Sequence, residues 1–234
     1  MNHLLQTLIL RLNLVKPPRY ARKFHGPVLV LGSAPTANLP ANFDDSFSII
    51  TVNGAQYHLQ QWGLREPDVT LLTCSQIEDK SPKTDSVRRV LAGHRTGSLY
   101  LIRWRHSRQK LVAALQAMAY GYDELHTFGR PARIALYSKV MGAENLEKDS
   151  DDRYSNGITA VLFALYHGAT DVIISGIDPY SSGHAHGTAD RARWHVEIDK
   201  QIIDALQRQG KRIFTADPGV ADKTGLPLWG CAKA

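Results

Sequence analysis

Cysteine is scarce in this sequence, and long apolar runs are absent from it. The two cysteines, Cys74 and Cys231, lie far apart and show no metal-ligand spacing. This scarcity argues against a disulfide framework and favours a reducing compartment, so we predict a cytoplasmic protein. No stretch reaches the roughly 18–20 consecutive apolar residues that a membrane-spanning helix needs.

Signatures of several common chemistries are also missing. The sequence has no Gly-x-Gly-x-x-Gly dinucleotide fingerprint, and the glycine turn at Gly32–Thr36 lacks the Lys-Ser/Thr pair of a P-loop. There is no Gly-x-Ser-x-Gly elbow, so a serine hydrolase is poorly supported. These absences exclude the commonest nucleotide-binding and hydrolase patterns.

The sequence is rich in apolar residues and carries a net positive charge. Hydrophobic residues make up 43% of 234 residues, enough for one large domain with a sizeable core. Lysine and arginine exceed aspartate and glutamate to give a net charge of +6. This charge favours anionic partners: phosphorylated small molecules, acidic glycans, a membrane surface or nucleic acid. No nucleic-acid-binding motif accompanies the charge, so we expect no nucleic-acid partner.

Residues 1–24 are predicted to form an N-terminal amphipathic basic helix that Pro17 and Pro18 bring to an end. Apolar residues recur there at helical spacing, at Leu4, Leu5, Leu8, Ile9, Leu12 and Val15. Positive side chains are interspersed, at Arg11, Lys16, Arg19, Arg22 and Lys23. Residues 1–23 could therefore lie on an anionic lipid surface, which would make the protein peripheral on the inner membrane. The alternatives are a docking helix and a contact in a homo-oligomer.

The rest of the chain, residues 25–234, is predicted to be a single Rossmann-like domain. Short apolar runs typical of buried strands lie at Pro27–Leu31, Ser48–Asn53, Asp68–Cys74, Ser98–Trp104, Asp171–Gly176 and Arg212–Ala216. Helical stretches lie at Gln56–Trp62, Arg108–Tyr120, Ile158–His167 and Glu197–Gln209. This alternation predicts an α/β fold with a doubly wound, mostly parallel sheet. The polar segments 78–95 and 142–153 are interpreted as loops, and a loop of this kind could form a small lid-like insertion.

In an open α/β sheet, ligands bind outside the carboxyl ends of the strands. The first strand is followed by Gly32, Ser33 and Ala34, a turn in which glycine lets backbone approach a ligand. Asn53 and Thr73 end the second and third strands and can hydrogen-bond a sugar hydroxyl. Tight turns alone would also explain these residues.

The segment around Ser155, Asn156 and Gly157 precedes an apolar helix. Ser155 or Asn156 can cap that helix, whose unpaired N–H groups would attract a carboxylate or phosphate, and Arg153 adds positive charge. Capping alone is the alternative.

The segment after the fifth strand is dense in polar residues. Gly176 is followed by Asp178, which could bind a sugar hydroxyl, and by Tyr180, which could donate a hydrogen bond to a departing phosphate. Loop packing is the alternative.

Three histidines follow, at His184, His186 and His195. A zinc site is a minor alternative for them, because no cysteine or glutamate completes a recognised catalytic pattern. His195, near the start of a helix, suits a general base because imidazole titrates near neutral pH.

Together these segments resemble a known family. The set Gly32–Thr36, Asn53, Arg153–Gly157, Ser175–Tyr180 and His195 resembles the bacterial sialyltransferases of glycosyltransferase family 42. It is equally similar to a wider superfamily that includes motility accessory factors and hydroxymethylpterin pyrophosphokinases. The resemblance implies a metal-independent, inverting transfer from a CMP-activated nonulosonic acid, with no cofactor.

The resemblance also implies roles for individual residues. Ser33 and Asn53 would hold the donor, Thr73 or Cys74 would add a polar contact, and Ser155 and Asn156 would engage the donor carboxylate or phosphate.

The catalytic roles follow from the same resemblance. Tyr180 would hydrogen-bond the leaving phosphate, and His186 or a neighbour would replace a second tyrosine of the family. His195 would be the base, with Arg153 near the catalytic centre.

Three functions are therefore weighed. The first is a glycosyltransferase that modifies a bacterial surface glycan, such as lipopolysaccharide or capsule, on a glycan or lipid-linked acceptor. The second is a pterin pyrophosphokinase-like enzyme, which would need ATP and magnesium. The third is a non-catalytic module that binds a nucleotide sugar or glycan.

Overall fold

The computed structural model describes residues 15–79, 81–149, 151–178, 180, 183, 185 and 195–231. In this part of the chain, parallel strands form one seven-stranded sheet in the order β5-β4-β3-β2-β1-β6-β7. The strands are β1 (Pro27–Leu31), β2 (Ser48–Val52), β3 (Val69–Thr73), β4 (Arg95–Ile102), β5 (Gly121–Phe128), β6 (Asp171–Ser175) and β7 (Ile213–Thr215). The predicted doubly wound α/β class is confirmed, and the sheet is parallel throughout.

Both faces of the sheet are covered, as the continuous apolar strands predict. Along β1, Val28 and Val30 belong to one core cluster, whereas Leu29 and Leu31 pack in clusters on the other face. The helices are α1 (Gln56–Gln61), α2 (Ser75–Glu78), α3 (Pro82–Leu91), α4 (Arg108–Ala117), α5 (Arg130–Met141), α6 (Asn156–Tyr166), α7 (Val196–Arg208) and α8 (Pro218–Thr224).

The helix α6 lies at the centre of one face. Eight consecutive residues, from Gly157 to Ala164, are buried, because the sequence is apolar around the whole helix. The helix packs against β1, β2, β3 and β6. Its first turn therefore lies where several strands end, beside the point between β1 and β6 where the strand order reverses. That reversal marks the usual ligand crevice of such sheets.

One prediction about secondary structure in residues 25–234 is wrong, and several elements, among them a strand and the helix α5, were not predicted. The segment 78–95, interpreted as a loop, contains α3, whose capping box pairs the Ser81 side chain with Thr84 and whose first turn begins with Pro82. No strand was predicted at Gly121–Phe128, which forms β5. It is an edge strand with a mixed burial pattern, so it lacks the apolar run that marks the inner strands.

The segment 142–153 contains no helix or strand among its described residues, in agreement with the loop prediction. It is anchored to the domain, because Glu147 is completely buried. This packing does not fit a freely hinged lid over residues 142–149.

The predicted N-terminal helix requires a correction where it is described. Residues 15–24 form no helix, and Tyr20 and Phe24 are buried in the main core. Two side chains of the domain hold this segment: the Tyr100 hydroxyl donates to the Arg19 carbonyl oxygen at 2.5 Å, and His167 Nε2 lies 2.9 Å from the Pro18 carbonyl oxygen. The folded domain therefore begins before residue 25. The apolar repeat between residues 1 and 14 lies outside the described residues, and no described helix is long and apolar enough to span a bilayer.

Candidate active site at the carboxyl edge of the sheet

The turns after β1 and β6 interlock through their glycines. The Gly32 N–H donates to the Ser175 carbonyl at 2.8 Å, and the Ala34 N–H donates to the Gly176 carbonyl at 2.9 Å. A Cβ atom on Gly32 would lie 2.3 Å from the Gly176 oxygen, and one on Gly176 would lie 2.5 Å from the Gly32 oxygen. The sequence analysis predicted that glycine here lets the backbone approach a ligand. In the structure, Gly32 instead approaches the turn after β6.

Gly176→Ala is expected to lower the free energy of unfolding by at least about 2 kcal/mol. The residue has a φ of +61°, and its new methyl would collide with backbone that cannot rotate away. Urea denaturation measures the effect. Gly219→Ala is the matched control, since nothing lies within 4 Å of the new methyl group. Equal stability of the two variants would contradict a strained crossing at this position.

The Asp217 carboxylate binds both of these turns, and the sequence analysis did not predict this role. Its side chain accepts hydrogen bonds from the backbone N–H and the amide of Asn38 at 2.8 and 3.0 Å, and from the Gly176 N–H at 2.8 Å. Burial raises the pKa of this carboxyl, and the hydrogen bonds oppose that shift. An acidic residue two positions after the last strand, β7, is the signal that could have revealed it.

Three predicted site residues form one hydrogen-bonded chain. Asn53 directly follows β2 in a left-handed conformation, with φ of +52°. Its Oδ1 accepts from the Thr73 N–H at 3.0 Å and from the Thr73 hydroxyl at 3.1 Å. The Asn156 amide donates to the same hydroxyl at 2.5 Å. The ends of β2 and β3 are thereby tied to the start of α6.

Ser155 caps α6, as predicted. Its hydroxyl oxygen accepts the Ile158 N–H at 3.2 Å, and its own N–H donates to Asp199 Oδ1 at 2.7 Å. A Cβ atom on Gly157 would lie 3.2 Å from Ile177 and 3.3 Å from the Ser155 hydroxyl, so a larger residue would disturb the cap. Asp199 belongs to α7, so this contact couples the start of α6 to the helix that follows His195.

His195 contacts the segment that leads into this cap. Its Nδ1 hydrogen-bonds the Arg153 carbonyl oxygen. A carbonyl oxygen only accepts, so Nδ1 carries the proton and neutral imidazole keeps a free lone pair on Nε2. Burial lowers the pKa of His195; the Arg153 carbonyl opposes this, and the charges of Arg133 and Arg103 lower it further. The ring is therefore neutral near pH 7 and suited to accept a proton at Nε2.

Beneath this loop lies a buried arginine that sequence reasoning also missed. Arg133, on α5, is 2% exposed, and its Nε lies 2.9 Å from Oε1 of the fully buried Glu147. Its guanidinium stacks 4.0 Å from the Tyr154 ring centroid and donates to the Tyr154 carbonyl oxygen. The pair thus supports the backbone between Arg153 and Ser155.

Arg103 is a second arginine near Glu147. It directly follows β4 with φ of +66°, and its N–H donates to the Phe128 carbonyl at 2.9 Å. Its guanidinium lies 3.8 Å from Glu147 Oε2, and its side chain is 35% exposed. Burial lowers the pKa of Arg103, and the charges of Arg133 and Arg153 lower it further.

The remaining predicted residues lie on the β6 side. The Ser33 carbonyl accepts the Ala185 N–H at 2.9 Å, and the Tyr180 N–H donates to Asp178 Oδ1 at 2.8 Å. Lys223 lies 3.7 Å from Asp178 Oδ2 and 5.9 Å from the Tyr180 ring centroid. Within the described residues, no contact joins Tyr180 to His195.

The histidines at 184 and 186 lie outside the described residues, and the roles weighed for them stay predictions. In the part of the chain that is described, no three His, Cys, Asp or Glu side chains cluster as metal ligands would.

Sequence comparison finds no matching protein-family model and no matching curated protein. Solved structures do match. The α-2,3-sialyltransferase Cst-I from Campylobacter jejuni superimposes with a TM-score of 0.58 at 11% identity, over 92% of this chain and 84% of that one. The sialyltransferase CST-II in complex with a trisaccharide acceptor and CMP gives 0.57 at 12% identity, over 90% and 89%. CstII from C. jejuni with CMP-3FNeuAc gives 0.53 at 11%, over 86% and 85%.

The chain has the sialyltransferase fold. The likeness extends over most of both chains, so the fold that the resemblance implied is confirmed. At this identity the sialyltransferase fold says nothing about which side chains are shared. The roles of the site residues therefore depend on their own geometry.

Proposed function

We propose that this protein is a glycosyltransferase that uses a CMP-activated sugar, in which His195 is the general base. The observation that carries the proposal is the bond from His195 Nδ1 to the carbonyl of Arg153, two residues before the Ser155 cap of α6, because Nε2 then has no hydrogen-bond partner among the described residues and can accept a proton. The matched solved structures that contain CMP or a CMP-sugar analogue support this choice of donor. The sugar that we propose is a nonulosonic acid.

The proposed reaction forms one bond and breaks one bond at the anomeric carbon. The acceptor hydroxyl oxygen attacks the anomeric carbon while the bond from that carbon to the CMP phosphate oxygen breaks, and His195 Nε2 takes the hydroxyl proton. Attack opposite the leaving group inverts the anomeric centre, through an oxocarbenium-like state. CMP leaves as an anion, and Arg153, Tyr180 and the N–H groups at the start of α6 are the candidates to stabilise it without a metal.

Metal independence is part of the proposal and needs its own test. Asp149 and Asp151 have the Asp-x-Asp spacing that many metal-dependent sugar transferases use, and both side chains are exposed. Two carboxylates can bind magnesium together with substrate phosphates. Turnover in the presence of EDTA, and unchanged turnover in Asp149→Asn/Asp151→Asn, would support the metal-free mechanism.

The acceptor that we propose is a glycan of the bacterial surface, such as lipopolysaccharide, or a lipid-linked precursor of one. The net charge of +6 and the basic amphipathic pattern of residues 1–23 support work beside an anionic membrane, on the cytoplasmic side. Homo-oligomerisation through the same segment is a further outcome that sedimentation measurements would reveal.

A nucleotide panel tests the donor. Thermal unfolding is followed with CMP, CDP, UDP and ATP, each with and without magnesium. Because binding to the native state alone raises the unfolding temperature, CMP is expected to stabilise the protein without metal. Stabilisation by ATP only with magnesium would overturn the proposal and favour the pyrophosphokinase-like alternative. CMP binding without turnover in any acceptor extract would favour the non-catalytic module.

The pH dependence of kcat/KM tests the state of His195. Because the pKa of His195 is lowered, its base form persists at pH values below the ordinary value of about 6.5. We expect the activity to be full above that value and to fall only as the pH drops through the lowered pKa. Arg103→Met removes a positive charge, so it should move this acidic limb to higher pH. An acidic limb above 6.5 in the wild type would contradict a half-buried base that is neutral near pH 7.

A further inference from the structure

Two buried histidines make the same kind of hydrogen bond at opposite edges of the sheet. His58, on α1, and His167, directly after α6, are each 6% exposed. Nε2 of His58 lies 3.0 Å from the Ala34 carbonyl oxygen, and Nε2 of His167 lies 2.9 Å from the Pro18 carbonyl oxygen. A carbonyl oxygen only accepts, so Nε2 carries the proton in both rings. The two bonds are alike in chemistry, but only the bond of His58 holds a turn at the carboxyl edge of the sheet.

The carbonyl that His58 binds belongs to the turn after β1. Ala34 is completely buried and precedes Pro35, which has no N–H, so the peptide between them can hydrogen-bond only through this carbonyl oxygen. The Ala37 N–H also approaches the oxygen, at 3.4 Å, so His58 provides the shorter bond. The Ala34 N–H donates to the Gly176 carbonyl at 2.9 Å. The turn is therefore bound to the loop after β6 through one backbone group and to α1 through the other.

The helix that carries His58 is part of the same site edge. The imidazole stacks on Trp62, with ring centroids 5.6 Å apart and an angle of 27° between the planes. The helix α1 follows directly on the segment Asn53–Ala55 after β2, in which the Asn53 side chain binds Thr73. The bond from His58 to Ala34 thus joins the turn after β1, at the usual ligand crevice of such sheets, to the segment that contains Asn53.

We propose that His58 is a positioning residue for the nucleotide donor, which fixes the turn after β1 relative to Asn53 and so preorganises the site for CMP. The side chain is buried, so it acts through Ala34 rather than by touching the donor. A turn that is already in place does not have to be ordered when the ligand binds, and affinity gains accordingly. This inference rests on the proposed function, because it concerns the donor of that same site.

The test compares variants by calorimetric titration with CMP in EDTA. His58→Leu removes the N–H donor and keeps a side chain of similar size, and it should weaken CMP binding by about 5–10-fold, the loss of one net hydrogen bond. At saturating donor its kcat should stay close to the wild-type value, because His195 is untouched. His58→Gln places an amide N–H near the position of Nε2, so it should recover most of the affinity.

His167→Leu is the matched control, because it removes an equivalent buried bond at the opposite edge of the sheet. In urea denaturation it should lose about as much stability as His58→Leu, yet it should bind CMP like the wild type. Equal weakening of CMP binding in the two leucine variants would overturn the inference, because general destabilisation would then explain the effect. Wild-type affinity in His58→Leu would overturn it as well.

A measurement on the wild type does not depend on the folding of any variant. In protein labelled with ¹⁵N-histidine, the Nε2 resonance of His58 should shift when CMP is added, whereas that of His167 should not. A His58 resonance that stays unchanged at saturating CMP would overturn the inference while leaving the proposed function intact. Failure of CMP itself to bind the wild type would instead defeat the proposed function, and this inference with it.

Discussion

His195→Ala is expected to lower kcat by about 10²–10⁴-fold while the affinity for CMP stays unchanged. The variant removes the atom that would take the acceptor proton, Nε2, and leaves the residues that are proposed to hold the nucleotide. The Ser155 cap depends on Asp199 and Ile158 rather than on the imidazole, so the start of α6 should persist. Single-turnover kinetics and CMP titration on the same preparation separate the two effects.

His25→Ala provides the control for this experiment. His25 is exposed and follows the buried Phe24, and it lies before β1, at the edge of the parallel sheet opposite to the carboxyl ends of the strands. The control should retain wild-type kcat. Loss of CMP binding in His195→Ala would contradict the assignment, because it would make the residue a structural or nucleotide-binding group. Full activity in that variant would contradict it as well.

Glu147→Gln is expected to lower the free energy of unfolding by about 3–5 kcal/mol, the typical cost of leaving a buried charge without its partner. The substitution keeps the size of the side chain, so cavity formation does not contribute. Arg133 would remain in the core, 2% exposed, with its nearest carboxylate neutralised. Urea denaturation measures the loss, and the same variant should also lower activity, because Arg133 holds the Tyr154 carbonyl next to the residue that contacts the proposed base, His195.

Two comparisons make this result specific. Asp204→Asn disrupts the partly exposed pair of Lys200 and Asp204, 3.2 Å apart, which should change stability by less than about 1 kcal/mol. Replacing both partners, in Arg133→Met/Glu147→Gln, removes the unpaired charge and should recover part of the loss. If the single variant were as stable as the Asp204→Asn control, the buried pair would not support the loop in the way described.

The fold was predictable from the sequence where burial is uniform. The inner strands β1 and β6 are covered on both faces, so their residues are apolar in succession and the pattern is unmistakable. The edge strand β5 mixes exposed, half-buried and buried residues and includes Asp123 and Glu124, so it has no such run. The helix α3 is rich in charge, and its start was marked by Ser81 and Pro82, which the loop interpretation passed over.

Individual residues of the site could be predicted from the sequence, but the hydrogen bonds between them could not. Asn53, Thr73 and Asn156 could each be chosen because they lie at strand ends or begin a helix, but the hydrogen bond from Asn156 to Thr73 joins segments 83 positions apart. Glu147 lies in a polar, acidic stretch, where a solvated carboxylate is the ordinary expectation. Its burial against Arg133 depends on how α5 packs on α6, which no local pattern reveals.

The central claim is that CMP binds at the carboxyl ends of β2 and β3 beside the start of α6. Hydrogen–deuterium exchange with and without saturating CMP, in EDTA, tests this claim directly. We predict that CMP slows exchange in peptides that cover residues 53–55, 73–76 and 155–158, and that Asn156→Ala weakens this protection. Protection confined to other parts of the sheet, or no protection at any CMP concentration, would contradict the claim.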